Sequence, residues 1–71
     1  MKKVYRLEEL DCANCAAKME KAIRDIDGVN DASISFISQR LTIDADDSRF
    51  EGIIEQARKL CRRIEPDCKI V

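Results

Sequence analysis

The chain contains no histidine and no tryptophan, a single proline, two glycines, one tyrosine and two phenylalanines. Without histidine there is no Ser-His-Asp or Cys-His catalysis, no Cys2His2 finger and no histidine-rich zinc site. With so little proline and glycine there is no linker and no low-complexity tract, so residues 1–71 read as one small domain. A chain of this size buries only about 60% of the surface its unfolded form exposes, which leaves no room for a large enzyme cleft. No catalytic activity is expected of it. No apolar run approaches the roughly 20 residues of a membrane span, and the lysines at the N-terminus have no apolar stretch behind them. A cytosolic monomer without membrane insertion is the expectation. Thirteen basic residues against 14 acidic ones give a net charge of -1. The basic excess that nucleic acid or an anionic membrane surface asks for is missing. Tyr5, Phe36 and Phe50 fall on faces that the residue pattern turns inward, where they cannot stack bases as RNA-recognition modules do.

What is present in excess is cysteine, four residues in 71. In a reducing compartment that count points to metal or redox chemistry. Residues 3–10 alternate, with Tyr5 and Leu7 on one side and Val4, Arg6 and Glu8 on the other, as in a strand with one buried face. A helix is predicted over residues 14–27, its apolar stripe made by Cys15, Met19, Ala22, Ile23 and Ile26, with Gly28 placed as a left-handed cap. Residues 29–36 alternate again, Ala32, Ile34 and Phe36 inward. A polar turn, "SQR", leads to a run with Leu41, Ile43 and Ala45 on one face, and the two runs read as a hairpin. Ser48 and Glu51 fit a capping box ahead of a second helix. Its stripe is Phe50, Ile53, Ile54, Ala57, Leu60, Cys61 and Ile64, and Pro66 stops it. "DCKIV" is a last short strand with Cys68 and Ile70 on one face.

Strand, helix, strand, strand, helix, strand is the α+β class: a ferredoxin-like βαββαβ sandwich, a four-stranded antiparallel sheet with two helices on one face. This order brings three segments to one end of the molecule: residues 11–15 at the start of the first helix, the hairpin at 37–40 and the junction at 61–66.

Cys12 and Cys15 stand in that first segment, "ELDCANCAAKMEKAI". Helix N-termini expose free N–H groups and a partial positive charge, and both favour thiolate. Three readings fit such a pair. It can be a thioredoxin-like redox couple, although Asp11 beside Cys12 opposes thiolate in the metal-free state. It can be part of a closed structural zinc site with Cys61 and Cys68, whose spacing is loose for that role. Or it can be an open port for a metal ion in transit. Asp11 can be a metal ligand, or it can cap the helix. Cys61 falls on an apolar stripe near the same end, either as a small core residue or as an additional ligand for a large soft ion. Cys68 has core parity.

The runs "LDCANCAAKMEKAI", "GVNDASISF" and "RLTIDAD" resemble the heavy-metal-associated domain, found in metal-transporting P-type ATPases and in small copper chaperones. The resemblance covers essentially the whole chain. It implies the same βαββαβ fold and metal ligation by Cys12 and Cys15. Where the family loop reads Gly-Met-x-Cys-x-x-Cys, this chain has Glu9 for the glycine and Leu10 for the methionine, and Leu10 is expected to plug the core beneath the loop. The residue before the first cysteine is commonly neutral in copper-handling members. It is often aspartate in zinc-, cadmium- and lead-transporting ATPases, which Asp11 matches. Two thiolates already give a Cu(I) site a net charge of -1, whereas a divalent ion accepts mixed sulfur and oxygen donors. The expectation is therefore one Zn(II), Cd(II) or Pb(II) ion held by Cys12, Cys15 and Asp11, with Cys61 as a further candidate. The domain would be the cytosolic N-terminal part of a metal-exporting P-type ATPase. Its partners would be other domains of that transporter and a metal donor. A free-standing metallochaperone, in one version for Cu(I), is the alternative, with a thiol-disulfide redox protein behind it.

Overall fold

The computed structural model describes every residue, Met1–Val71. Strands β1 (Lys2–Glu8), β2 (Val29–Ser35), β3 (Arg40–Ala45) and β4 (Lys69–Ile70) form one sheet in the order β2-β3-β1-β4, antiparallel throughout. Helices α1 (Ala13–Arg24) and α2 (Phe50–Ile64) pack on one face. This is the ferredoxin-like sandwich that the alternation predicts.

The register explains the core. Leu41 stands between Tyr5 and Ile34, and Ile43 between Lys3 and Ala32. Because side chains alternate along a strand, this pairing sends Leu7, Ala32, Leu41, Ile43, Ala45 and Ile70 to the helix side, where all are buried. Met19 and Ile23 of α1 and Ile53 and Ala57 of α2 close over them, and no polar or charged residue is buried. Each large apolar side chain taken fully out of water contributes about 1.5–3 kcal/mol.

Strand β2 lies at an edge of the sheet, and α1 covers it. The Glu20 carboxylate accepts from the Ile34 N–H at 2.8 Å, and Arg24 Nε donates to the Ala32 carbonyl at 2.7 Å. Arg24 also pairs with Asp31 at 3.4 Å. Backbone groups that would otherwise invite a second chain are thus occupied from within.

Three local expectations are corrected. Helix α1 ends at Arg24 rather than near Asp27, because the Asp25 N–H closes the last turn on the Lys21 carbonyl at 3.1 Å. A separate turn follows, with Ile26 buried and Gly28 at φ +98. A side chain at Gly28 would also run into the Arg49 guanidinium. The Ser48–Glu51 capping box does not form. The chain enters α2 through a 3-10 turn over Asp47–Arg49, so the backbone is already helical there and the residue capping α2 is Arg49, without a side-chain bond. Phe36 is not inward. Strand β2 stops at Ser35, and Phe36 falls in the following turn at 38% exposure.

The hairpin turn makes the contact that positions the loop before α1. Gln39 adopts a left-handed backbone (φ +56). Its Oε1 accepts from the Leu10 N–H at 3.0 Å, and its Nε2 donates to the Leu10 carbonyl at 2.7 Å and to the Phe36 carbonyl at 2.8 Å. The Gln39 carbonyl in turn accepts from the Leu7 N–H at 2.8 Å. One side-chain amide therefore satisfies both backbone groups of Leu10, whose own side chain is 1% exposed and plugs the core as expected. Glu9, next to it, is forced into a left-handed conformation (φ +59), an uncommon one for a residue with a Cβ.

Gln39→Ala and Glu9→Gly should move stability in opposite directions in urea denaturation. The first strands two backbone groups and should cost about 2 kcal/mol. The second removes left-handed strain, partly offset by the extra freedom of glycine in the unfolded chain, and should gain about 0.5–1 kcal/mol. Equal, small losses in both would show that the clamp does not hold the loop.

Candidate metal centre

The clamp delivers the chain to Cys12 in extended conformation (φ -119, ψ 116), the geometry of a helix N-cap. Cys12 takes that position itself. Its carbonyl accepts from the Ala16 N–H at 3.0 Å, and its Sγ accepts from the Cys15 N–H at 3.3 Å. Sulfur thus stands where a serine or aspartate oxygen ordinarily stands. Cys15 lies in the first turn of α1, its backbone N–H bound to Cys12 Sγ. Both cysteines are half-buried and free.

The pair shares protons unequally. The neighbouring Cys15 thiol and the Cys15 N–H, which donates to Cys12 Sγ, hold the Cys12 thiol below its ordinary value against the opposing effect of burial. Cys15 is pushed up to about 11: chiefly it keeps the proton it donates to Cys12, and burial, charge on Cys12 and the Glu65 carboxylate add to this. Cys12 is therefore the more acidic thiol of the pair, and Cys15 the one that holds its proton.

Asp11 immediately precedes the cap and is exposed. It makes no hydrogen bond or ion pair, and Cys12 rather than Asp11 caps α1. Its charge is felt at Cys68. Cys61 and Cys68 are buried at 1% and 2% exposure, and the Cys61 thiol donates to the Cys68 carbonyl at 3.4 Å rather than facing Cys12 and Cys15. The structure brings two sulfurs together. It assembles no group of three Cys, Asp or Glu side chains ready to hold an ion.

The sequence reading passed over one residue, Glu65. It follows α2, where the proline at 66 requires extended backbone, and it sits at φ -138, ψ 95. Its N–H donates to the Cys61 carbonyl at 2.8 Å and its carbonyl accepts from the Cys68 N–H at 3.0 Å. Held on both sides, it stays at this end of the molecule, near enough for its charge to raise all four thiols. The available signal was the acid beside Pro66 in a junction that the topology already assigned to this end.

The heavy-metal-associated domain model matches residues 4–65. The chain belongs to that family. As a heavy-metal-associated domain it binds heavy metal, with its cysteine pair at Cys12 and Cys15. It is 33% identical over 66 residues to a cadmium, zinc and cobalt-transporting ATPase of Bacillus subtilis, a match covering 93% of this chain and 9% of the relative. It is 40% identical over 56 residues to a zinc/cadmium/lead-transporting P-type ATPase of Escherichia coli, covering 75% of this chain and 8% of the relative. The heavy-metal-associated domain thus spans less than a tenth of these relatives. Among solved structures, a CopZ metallochaperone superposes over 100% of both chains with TM-score 0.76 at 21% identity. A copper form of CopA from Bacillus subtilis does so over 100% of this chain and 88% of its own, with TM-score 0.74 at 23% identity. At these identities the likeness establishes the fold. No helix is long and apolar enough to cross a membrane.

Metal uptake by this pair must release protons. Below the lowered Cys12 value both thiols carry a proton, so the apparent affinity for a divalent ion should rise about a hundredfold per pH unit. Between that value and the Cys15 value of about 11, one proton remains and the rise should be about tenfold per unit. Chelator competition between about pH 6 and 9 reads this slope. An affinity independent of pH would remove the two thiols from the ligand set.

Proposed function

We propose that the chain is a cytosolic metal-binding domain of a transporter for soft divalent ions, taking one Zn(II), Cd(II) or Pb(II) at Cys12 and Cys15 with oxygen from Asp11. Glu65 is proposed as a second oxygen source. The observation that carries this reading is the charge around the sulfur pair. An uncommitted carboxylate precedes Cys12, and the charge of another, Glu65, is felt at both sulfurs. Two thiolates and a divalent ion make a neutral unit that a carboxylate can join. Two thiolates and Cu(I) already carry a negative charge, which Asp11 and Glu65 oppose at close range. The sequence relatives whose names include cadmium, zinc or lead support the same choice. The copper-named structures, at 21% and 23% identity, bear on the fold and not on the ion.

Transfer follows from the incompleteness of the site. A divalent ion on two sulfurs and one carboxylate keeps a position for an incoming thiolate or carboxylate of a partner. A metal donor or another domain of the same transporter can add its ligand before Cys12 or Cys15 lets go. The chain itself performs binding and handover; the energy of transport would come from elsewhere in such a transporter.

Titration of Asp11→Ala, Glu65→Gln and the double variant with Cd(II) and Cu(I) tests the oxygen donors. Each single substitution should weaken Cd(II) by about tenfold, or about 1.4 kcal/mol, and leave Cu(I) unchanged or tighter. Losses of the same size for both ions, or no loss for either, would make the site a thiol pair indifferent to its acids.

A further inference from the structure

Behind the port lies a second thiol pair. Cys61, in the last turns of α2, and Cys68, at the entry to β4, are 1% and 2% exposed and not joined by a disulfide. The Cys61 thiol donates to the Cys68 carbonyl at 3.4 Å, and the two cysteines line one and the same groove. A groove of about 390 Å³ reaches both cysteines from solvent, flanked by Arg58, Arg62 and Lys69. None of these three cations takes part in an ion pair.

We propose that Cys61 and Cys68 form a second metal site, an internal two-sulfur clamp for a soft divalent ion satisfied by two collinear thiolates, of which Hg(II) is the type. The charge balance favours that class. Two thiols surrender two protons and bind one divalent ion, leaving a neutral unit that can remain in an apolar core. Cu(I) on the same sulfurs would leave a buried negative charge. Zn(II), which takes four donors, finds two sulfurs here and no carboxylate in a ready group. Burial also raises both thiols, Cys68 to about 12. At rest they stay protonated, and only an ion with very high thiolate affinity displaces those protons.

The groove suits the form in which such an ion travels. A bis-thiolate complex with a small acidic thiol carries free carboxylates, and Arg58, Arg62 and Lys69 offer them cationic partners. Exchange is then balanced: each protein thiol passes its proton to a departing small thiol as it takes the metal, and nothing is oxidised or reduced. The clamp draws on neither Cys12 nor Cys15, so it stands apart from the port.

The test uses the full chain with the port removed, Cys12→Ser/Cys15→Ser, where serine is itself a favoured helix cap. Hg(II), supplied as its N-acetylcysteine complex, should bind at one ion per chain by native mass spectrometry, show sulfur-to-mercury absorption and raise the melting temperature. Adding Cys61→Ala should cut the affinity at least a hundredfold. A second arm does not depend on changing the core. Arg58→Gln/Arg62→Gln in the port-free chain should slow uptake about tenfold from the N-acetylcysteine complex but not from the 2-mercaptoethanol complex. No binding by the port-free chain overturns the proposal. So does binding accompanied by loss of helical signal, undiminished binding after Cys61→Ala, or equal uptake rates in the second arm.

Discussion

The amide of Gln39 holds both backbone groups of Leu10 while the Leu10 side chain is sunk in the core. Everything at the metal end depends on this anchorage. A loop fixed at Leu10 by packing and by two hydrogen bonds reaches Cys12 in one conformation, and that conformation is a helix N-cap. Cys12 then has its sulfur turned onto the first turn of α1, within reach of Cys15. The two sulfurs are close before any ion arrives, so binding does not have to pay for closing the loop. The cost is two left-handed residues, Glu9 and Gln39, strain of the kind that surrounding structure must over-determine.

Charge divides the metal end into two regions. On the α1 side the port meets Asp11 and Glu65. On the α2–β4 side the groove over Cys61 and Cys68 is edged by Arg58, Arg62 and Lys69. The net charge of -1 conceals this separation. A half-buried sulfur pair near acids suits an ion that keeps its positive charge in play and accepts oxygen. A buried pair behind cations suits an ion that becomes neutral on two sulfurs and arrives on anionic carriers. Glu65 belongs to both regions, since its backbone ties Cys61 to Cys68 and its charge is felt at Cys12 and Cys15.

Much of this was legible in the residues. The alternation of Leu41, Ile43 and Ala45 and the stripe from Phe50 to Ile64 record burial directly, because one face of each element meets the core. The strand and helix order brought the three loops to one end, and the cysteine spacing marked the port. What was not legible came from contacts between distant residues. Gln39 lies 29 positions from Leu10, and nothing local distinguishes a glutamine that will clamp a loop from one in a solvated turn. Glu65 acquires its role from Pro66 and from two backbone bonds to cysteines that neighbour it only in the folded chain. The end of α1, the missing capping box and the outward Phe36 are errors at element boundaries. There, backbone continuity with a 3-10 turn or the length of a strand outweighs the local preferences of Ser48, Gly28 or an alternating pattern.

The central claim is that the port gives a divalent ion both sulfur and oxygen. X-ray absorption at the zinc edge, on the chain loaded with one ion, reads the donors directly. The expected result is two sulfurs at about 2.3 Å and one or two protein oxygens at about 2.0–2.2 Å, with an oxygen lost when Asp11 and Glu65 are both replaced. A shell of four sulfurs drawn from two chains, or an oxygen count unchanged by those replacements, would contradict it.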